Sequence, residues 1–238
     1  MKDRKKKIFK ISVDEYVKSA KPVGSDAICK KYKLGVSPAT VRNELSILEE
    51  EGLLYQPHTS AGRVPTNKGF RIFADDIMDE MTKDFEELFD ARKLFDFDTT
   101  ETGLFEEVAD TIARKSGMLG MAGSFTSGKV ARSGMDKLFA QPDFFSHKDF
   151  REMGETLERM EKHFFDVVES LFKDSDVCFK VFVGEENPFG RSSHFSFMVS
   201  RCSPGKDKGV MMLMGPKRMQ YKKNARLLSG LKHFIEEQ

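Results

Sequence analysis

Side chains that can hydrogen-bond to DNA bases are concentrated in residues 37–46. Ser37 followed by Pro38 is a strong helix start signal. Arg and Asn side chains suit guanine and adenine, and Thr and Ala can contact a thymine methyl group. A helix N-terminus can also hold a phosphate. This segment therefore predicts a helix that lies in a major groove, with contact residues Ser37, Ala39, Thr40, Arg42, Asn43 and Ser46.

A second polar segment follows at residues 56–66. It reads as two short strands joined by a tight loop with Pro57 and Gly62, and no acidic residue occurs between Gly52 and Ala74. An arginine at a hairpin tip can enter a minor groove or hold a phosphate. The alternative is a solvated turn that Gly62 shapes. We predict a DNA-contacting hairpin, with contact residues His58, Thr59, Ser60, Arg63, Thr66 and Lys68.

Helical patterns surround the predicted contact helix. Apolar spacing predicts a first helix that ends near Lys18, and Ser25 is the expected N-cap of a short second helix. Gly35 provides a turn before the third helix, in which Val41, Leu45 and Leu48 form the buried stripe, and Thr66 can cap a fourth. Two helices, a turn and an amphipathic helix are the helix-turn-helix arrangement.

The charge of the chain is divided unevenly. Residues 1–74 hold 15 Lys and Arg against 8 Asp and Glu, whereas the rest of the chain is net acidic. A basic first third indicates a polyanionic partner. The alternative is that the lysines near the start are an ordinary solvated helix face.

The remainder of the chain predicts helices and strands in the order of an α+β domain. Three strand-like runs end the chain before a closing helix, and a longer amphipathic helix precedes them. The predicted helices are 105–115, 150–172 and 222–237, and the predicted strands are 118–125, 177–183, 194–200 and 209–214. We assign residues 1–78 to a DNA-binding domain, 79–100 to a helical linker and 101–238 to a sensor or dimerisation domain.

No catalytic, metal or cofactor site is predicted. The five histidines lack metal-ligand spacing, and the three cysteines lie far apart. The segment 123–130 imitates a phosphate-binding loop, but Val130 stands where a Ser or Thr should hold Mg²⁺, so we interpret it as a flexible loop. No persuasive Ser/His/Asp, Cys/His or paired-carboxylate arrangement occurs, so we expect that the chain is not an enzyme. With no long apolar run and no apolar stretch after the basic N-terminus, we expect a cytoplasmic protein that does not span a membrane.

Several segments resemble the heat-inducible transcription repressor HrcA family. The resemblance is nearly continuous from Tyr16 to Phe73 and strongest in the predicted hairpin. The matching segments are 22–25, 35–44, 48–52 and 56–66, with later fragments at 141–144, 184–187 and 215–221.

This resemblance implies a winged-helix repressor of chaperone genes. Family members bind an inverted-repeat operator, the CIRCE element, as homodimers, carry a GAF-like C-terminal domain and are assisted by the chaperonin. They lose activity on heat stress. Members are usually longer and contain an inserted dimerisation domain, whereas this chain passes almost directly from residues 118–125 to 134–144. The expected fold is therefore a winged helix-turn-helix and a GAF-like α+β domain lacking much of the usual central insertion.

Two other functions fit the same sequence. The chain can be a ligand-sensing regulator, in which a small molecule in the C-terminal domain changes DNA affinity. It can also be an interaction module in which the winged helix contacts protein instead of DNA.

Overall fold

The chain contains two compact units, Met1–Asp79 and Glu80–Gln238, in the computed structural model. The structure describes residues 3–84, 103–143, 146–173, 177, 179–190 and 192–237. The predicted linker at 79–100 lies mainly outside these residues, so the predicted domain boundaries stay predictions.

The first unit consists of three helices, a small hairpin and most of a fourth helix, which continues past Asp79. The elements in chain order are α1 Asp3–Ser19, α2 Ser25–Lys31, α3 Pro38–Glu50, β1 Leu54–Tyr55, β2 Val64–Pro65 and α4 Asn67–Asp84. Strands β1 and β2 pair antiparallel, with Leu54 opposite Pro65 and Tyr55 opposite Val64.

Local signals set the ends of α3 and α4. The Ser37 hydroxyl accepts a hydrogen bond from the Thr40 N–H and caps α3. Gly52, just beyond the end of α3, has a φ of +71°, which favours glycine. Thr66 caps α4 by accepting from the Gly69 N–H, as predicted. The expected cap of α2 is wrong: Gly24 is its N-cap, and Ser25 is already the first helical residue.

Apolar faces of these helices meet in one core. The predicted stripe of α3 is confirmed, because Val41, Leu45 and Leu48 are buried. They lie in the same unit as the buried apolar residues of α1, α2 and α4, which are Ile8, Phe9, Val13, Val17, Ile28, Phe70, Phe73, Ala74 and Ile77. Helix α3 packs on α1 and α2, so its other face is directed away from the core.

The second unit is a five-stranded antiparallel sheet with helices on both faces, which confirms the predicted α+β class. The elements of this unit are α5 Leu104–Ser116, β3 Leu119–Ser124, β4 Lys129–Ser133, α6 Met135–Phe139, α7 His147–Phe172, β5 Phe179–Val183, a 3₁₀ turn at Gly184–Glu186, β6 Phe195–Cys202, β7 Gly209–Pro216 and α8 Tyr221–Glu236. The strand order in the sheet is β4-β3-β7-β6-β5.

Alternate residues of the strands pack on opposite helices. Met153 and Phe164 of α7 share a buried cluster with Leu119 of β3 and Phe197 of β6. On the other face, a Cβ at Gly120 would lie 2.4 Å from the Ala109 carbonyl oxygen of α5. Glycine at this position therefore allows α5 to lie directly against the sheet.

The flexible loop predicted at 123–130 is instead a β-hairpin. Gly123 and Ser124 belong to β3, and Lys129 and Val130 begin β4, with Gly123 opposite Val130. A strand, and not the helix that a phosphate-binding loop requires, follows the lysine. Both β4 and the short α6 were missed by the sequence analysis, because neither carries a strong apolar period.

No helix in the described part of the chain is both long enough and apolar enough to cross a membrane. No group of three or more His, Cys, Asp or Glu side chains in these ranges is placed to hold a metal ion.

Candidate nucleic-acid interface

The outward face of α3 carries the polar side chains predicted to contact bases. Ala39, Arg42 and Asn43 are exposed, and Ser46 is half-buried. Within the described ranges Arg42 has no ion-pair partner. Its guanidinium and the Asn43 amide therefore keep their hydrogen-bonding capacity for another molecule.

Ser37 and Thr40 form the N-terminal end of this face. Besides the capping bond of 3.2 Å to the Thr40 N–H, the two hydroxyl oxygens lie 3.0 Å apart. Ser37 is exposed and Thr40 is half-buried. Because α3 also has no acidic residue in its first turn, this end suits an anion such as a phosphate.

The hairpin loop presents His58, Thr59 and Ser60, which are all exposed. Gln56 holds the loop in shape from inside: its side-chain amide donates to the carbonyl oxygens of Thr59 at 2.9 Å and Ala61 at 2.8 Å. The exposed residues are thus displayed on a loop whose own backbone is tied down.

Glu49 connects this loop to α3. One carboxylate oxygen accepts from the Gln56 backbone N–H at 3.0 Å, and the other lies 2.9 Å from the Arg63 guanidinium. Glu49 is near the end of α3, so the bonds set the position of the loop relative to the exposed helix face. The helix and loop are therefore a single structural surface.

Arg63 does not lie at the hairpin tip, which corrects the prediction. Its backbone pairs with Val23, with N–H to O distances of 2.8 and 2.9 Å, and 13% of its side chain is exposed. Gly62 approaches the same segment so closely that a Cβ there would lie 2.4 Å from the Val23 carbonyl carbon. Arg63 sits at the base of the loop, where it supports the loop from beneath.

Thr66 and Lys68 use their polar groups within the protein. The Thr66 hydroxyl donates to the Gly52 carbonyl oxygen at 2.7 Å while it accepts from Gly69. The Lys68 ammonium donates to the Glu51 carbonyl oxygen at 3.0 Å, close to the end of α3. Their predicted contacts with DNA remain predictions, but the structure gives both residues a role in joining α3 to α4.

Much of the basic charge on α1 is paired with acids of the same unit. The Arg4 guanidinium donates to the largely buried Glu44 carboxylate at 2.7 and 2.9 Å. Lys5 pairs with Glu51 and Lys6 with Asp76. The sequence charge thus overstates the positive surface. The exposed lysines without an ion pair in the described part of this unit include Lys7, Lys30 and Lys33.

The structure adds residues that sequence analysis missed. Glu49 and Gln56 position the loop, although neither was predicted as part of the interface. Ile47 is 40% exposed and follows Asn43 by four positions, which places it on the same face of α3. The sequence could have shown this, because Ile47 is an apolar residue that lies outside the buried stripe of α3, on the otherwise polar face.

These observations define a two-unit α+β protein whose first unit displays a polar helix beside a braced hairpin loop. The model of the HrcA protein C-terminal domain matches residues 67–224, more than half of the chain. The chain therefore belongs to the HrcA family.

Curated relatives share this family name. The chain is 53% identical over 88 residues to the heat-inducible transcription repressor HrcA of Pelotomaculum thermopropionicum, a match that covers 36% of this chain and 25% of the relative. It is 58% identical over 78 residues to the same repressor of Symbiobacterium thermophilum, covering 33% and 23%. These matches thus span well under half of either relative's length.

A solved structure shares the fold. A crystal structure described as a hypothetical protein superposes with a TM-score of 0.81 at 20% identity, covering 100% of this chain and 98% of the other. At that identity the likeness concerns the fold and carries no conclusion about function.

Proposed function

We propose that this chain is a DNA-binding transcriptional repressor whose first unit is a winged helix-turn-helix. One observation carries the proposal: an exposed polar face of α3, with Arg42 and Asn43, lies beside a loop that Glu49 ties to the same helix. The names of the curated relatives support it.

In the proposed complex α3 enters the major groove. Arg42 donates two hydrogen bonds to guanine, and Asn43 pairs with adenine through its amide. The end of α3 at Ser37 binds a phosphate, and His58, Thr59 and Ser60 contact the neighbouring backbone. Arg63 holds the loop in place, a role that replaces its predicted contact at the tip. The repressor bound at its operator then excludes the polymerase from the promoter.

The finer parts of the proposal rest on family membership. We propose that two copies bind an inverted repeat of the CIRCE type, because a two-fold operator matches a two-fold protein. The second unit is proposed to be a GAF-like sensor and dimerisation domain. Repression of chaperone genes in the cytoplasm, assistance by the chaperonin and release on heat stress complete the proposal.

Binding to matched duplexes tests the proposal. The purified chain is titrated into a CIRCE-type inverted-repeat duplex and into a scrambled duplex of the same composition, at one salt concentration. Specific recognition predicts at least a thousandfold tighter binding to the inverted repeat. Equal affinities would refute a specific repressor.

The salt dependence separates the proposal from a protein-binding module. Phosphate contacts make the logarithm of the binding constant fall steeply with the logarithm of the salt concentration. A shallow slope together with weak binding to both duplexes would favour protein as the partner of α3.

A further inference from the structure

Three consecutive glutamates lie at the end of α3, and two of them have charged partners. Glu49 pairs with Arg63. Glu51, which follows the helix, pairs with Lys5. Glu50 is the last residue of α3 and is exposed, and its carboxylate makes no hydrogen bond or ion pair within the described ranges. This carboxylate therefore keeps its hydrogen-bonding capacity for another molecule.

The stability of the first unit does not account for the charge of Glu50. A carboxylate at the C-terminal end of a helix lies at the negative end of the helix dipole, which is unfavourable. Helix α3 also has no basic residue in its last turn that would offset this charge. Glu50 thus gains nothing from the described structure around it.

Glu50 lies on the same face of α3 as the residues proposed to read bases. It follows Asn43 by seven positions and Ser46 by four, which are about two turns and one turn of an α-helix. The buried stripe of α3 is on the opposite side. Asn43, Ser46 and Glu50 therefore form one row along the exposed face.

A carboxylate in a major groove meets few groups that attract it. The phosphates that flank the groove are negative, and guanine and thymine present only acceptor atoms or a methyl group at its floor. Hydrogen-bond donors come from the amino groups of adenine and cytosine. Asparagine is the side chain suited to adenine, whereas a glutamate suits cytosine N4. A glutamate in this row is thus favourable opposite a cytosine and unfavourable opposite other bases.

We infer that Glu50 is a specificity-determining residue that accepts a hydrogen bond from N4 of one cytosine in each half-site. The inference rests on the proposed function, because it requires α3 to lie in a major groove. Seven residues span about 10 Å of helix, so this cytosine lies about two or three base pairs from the base that Asn43 contacts. On any other sequence the same carboxylate repels the phosphates and lowers the affinity.

Modified cytosines in the operator test the inference with the full chain. N4-methylcytosine replaces the cytosines of the CIRCE-type duplex one symmetric pair of positions at a time. This base still pairs with guanine, but a methyl group takes the place of the amino hydrogen that faces the groove. We expect one position at which the replacement weakens binding about fivefold or more. For Glu50→Ala the same replacement should change the affinity by less than about twofold, because the partner of the amino group is already gone.

Binding to scrambled DNA tests the repulsive part of the inference. Glu50→Ala should bind the scrambled duplex about twofold more tightly, because it removes a negative charge roughly 8 Å from a phosphate. Glu155→Ala is the matched control. It removes an exposed glutamate of α7 that has no ion pair in the described part of the chain, and its affinity for every duplex should equal that of the unmodified chain.

The outcomes separate this inference from the proposed function. If the unmodified chain binds the inverted repeat and the scrambled duplex equally, the proposed function fails and the inference fails with it. If the unmodified chain is specific but Glu50→Ala remains sensitive to the same modified cytosines, only the inference is overturned. Thermal unfolding of Glu50→Ala should begin no lower than that of the unmodified chain, because the variant loses an unfavourable charge at the helix end.

Discussion

The guanidinium of Arg63 lies 2.9 Å from the carboxylate of Glu49, and this ion pair joins the base of the hairpin loop to the end of α3. Only 13% of the Arg63 side chain is exposed. A positive side chain in a basic, acid-free segment is therefore directed inward. The distance between the loop and the proposed base-reading face depends on this pair, together with the Glu49 bond to the Gln56 backbone.

Arg63→Ala should weaken DNA binding without changing its salt dependence. Loss of the ion pair frees the loop and lowers the free energy of unfolding by about 1 kcal/mol. The loss is small because the Glu49 side chain is about a third exposed and water screens the pair. A direct phosphate contact would instead lower the slope of the logarithmic salt plot by about one on removal. Affinities measured at four or more salt concentrations distinguish the two roles.

Glu49→Gln is the matched variant for this prediction. The substituted side chain loses the negative charge, while its amide oxygen can still accept a hydrogen bond from the Gln56 N–H. We expect a loss of affinity similar to that of Arg63→Ala, and a double variant no weaker than the single ones, because the two residues act through one interaction. If the slope of the logarithmic salt plot falls by about one in Arg63→Ala but not in Glu49→Gln, Arg63 contacts a phosphate directly, as predicted from the sequence.

Asn43→Ala and Arg42→Ala should affect recognition and leave folding intact. Both side chains are exposed, so we expect stability to change by less than about 0.5 kcal/mol. Each loss should cost about 1–3 kcal/mol on the preferred duplex and much less on scrambled DNA. Ser19→Ala, at the exposed end of α1, serves as a control. Equal losses on both duplexes would show that the two residues contact the backbone instead of bases.

The position of α3 follows from signals close together in sequence. Ser37, Pro38 and Gly52 set its ends, and Val41, Leu45 and Leu48 define its buried side. Each signal acts within a few residues, so periodicity and capping chemistry suffice. The exposed face could be deduced from the buried one.

The direction of Arg63 could not be deduced in the same way. Its side chain meets Glu49, and its backbone meets Val23, which is 40 positions earlier. Such contacts depend on how α3 packs, which no local pattern specifies. Strand β4 was missed for a related reason: it is an edge strand with mostly exposed residues, so it lacks the apolar alternation that marks buried strands.

Tyr32→Phe should change the dependence of stability on pH. The Lys31 ammonium and the Tyr32 hydroxyl donate to Glu15 of α1, and these bonds hold the pKa of the Glu15 carboxyl below its ordinary 4.5. A lowered folded pKa stabilises the protein above pH 4.5, and this stability is lost as the pH falls through the folded pKa. We expect a deficit of about 0.5–1.5 kcal/mol near neutral pH that shrinks in acid, once the Glu15 carboxyl is protonated.

Urea titrations from neutral to acidic pH, followed by circular dichroism, measure this deficit. Tyr55→Phe is the control, because Tyr55 is 46% exposed and no hydrogen bond of its hydroxyl occurs in the described part of the chain. Its free energy of unfolding should match that of the unmodified chain at every pH. A Tyr32→Phe deficit that stays constant through the acidic range would mean that Glu15 is not the group responsible.

Ile47 should contact a thymine methyl group in the proposed complex. It is 40% exposed, one turn beyond Asn43 on α3, and an exposed isoleucine beside base-reading residues suits an apolar partner in the groove.

Replacing thymines of the duplex one at a time by deoxyuridine removes each methyl group, and Ile47→Ala removes its partner. We expect one thymine for which the two losses, each about 1 kcal/mol, are not additive, because either change alone abolishes the same contact. Val130→Ala, at an exposed position of β4, should leave every deoxyuridine effect unchanged. Additive losses at all thymines would show that Ile47 contacts no thymine methyl group.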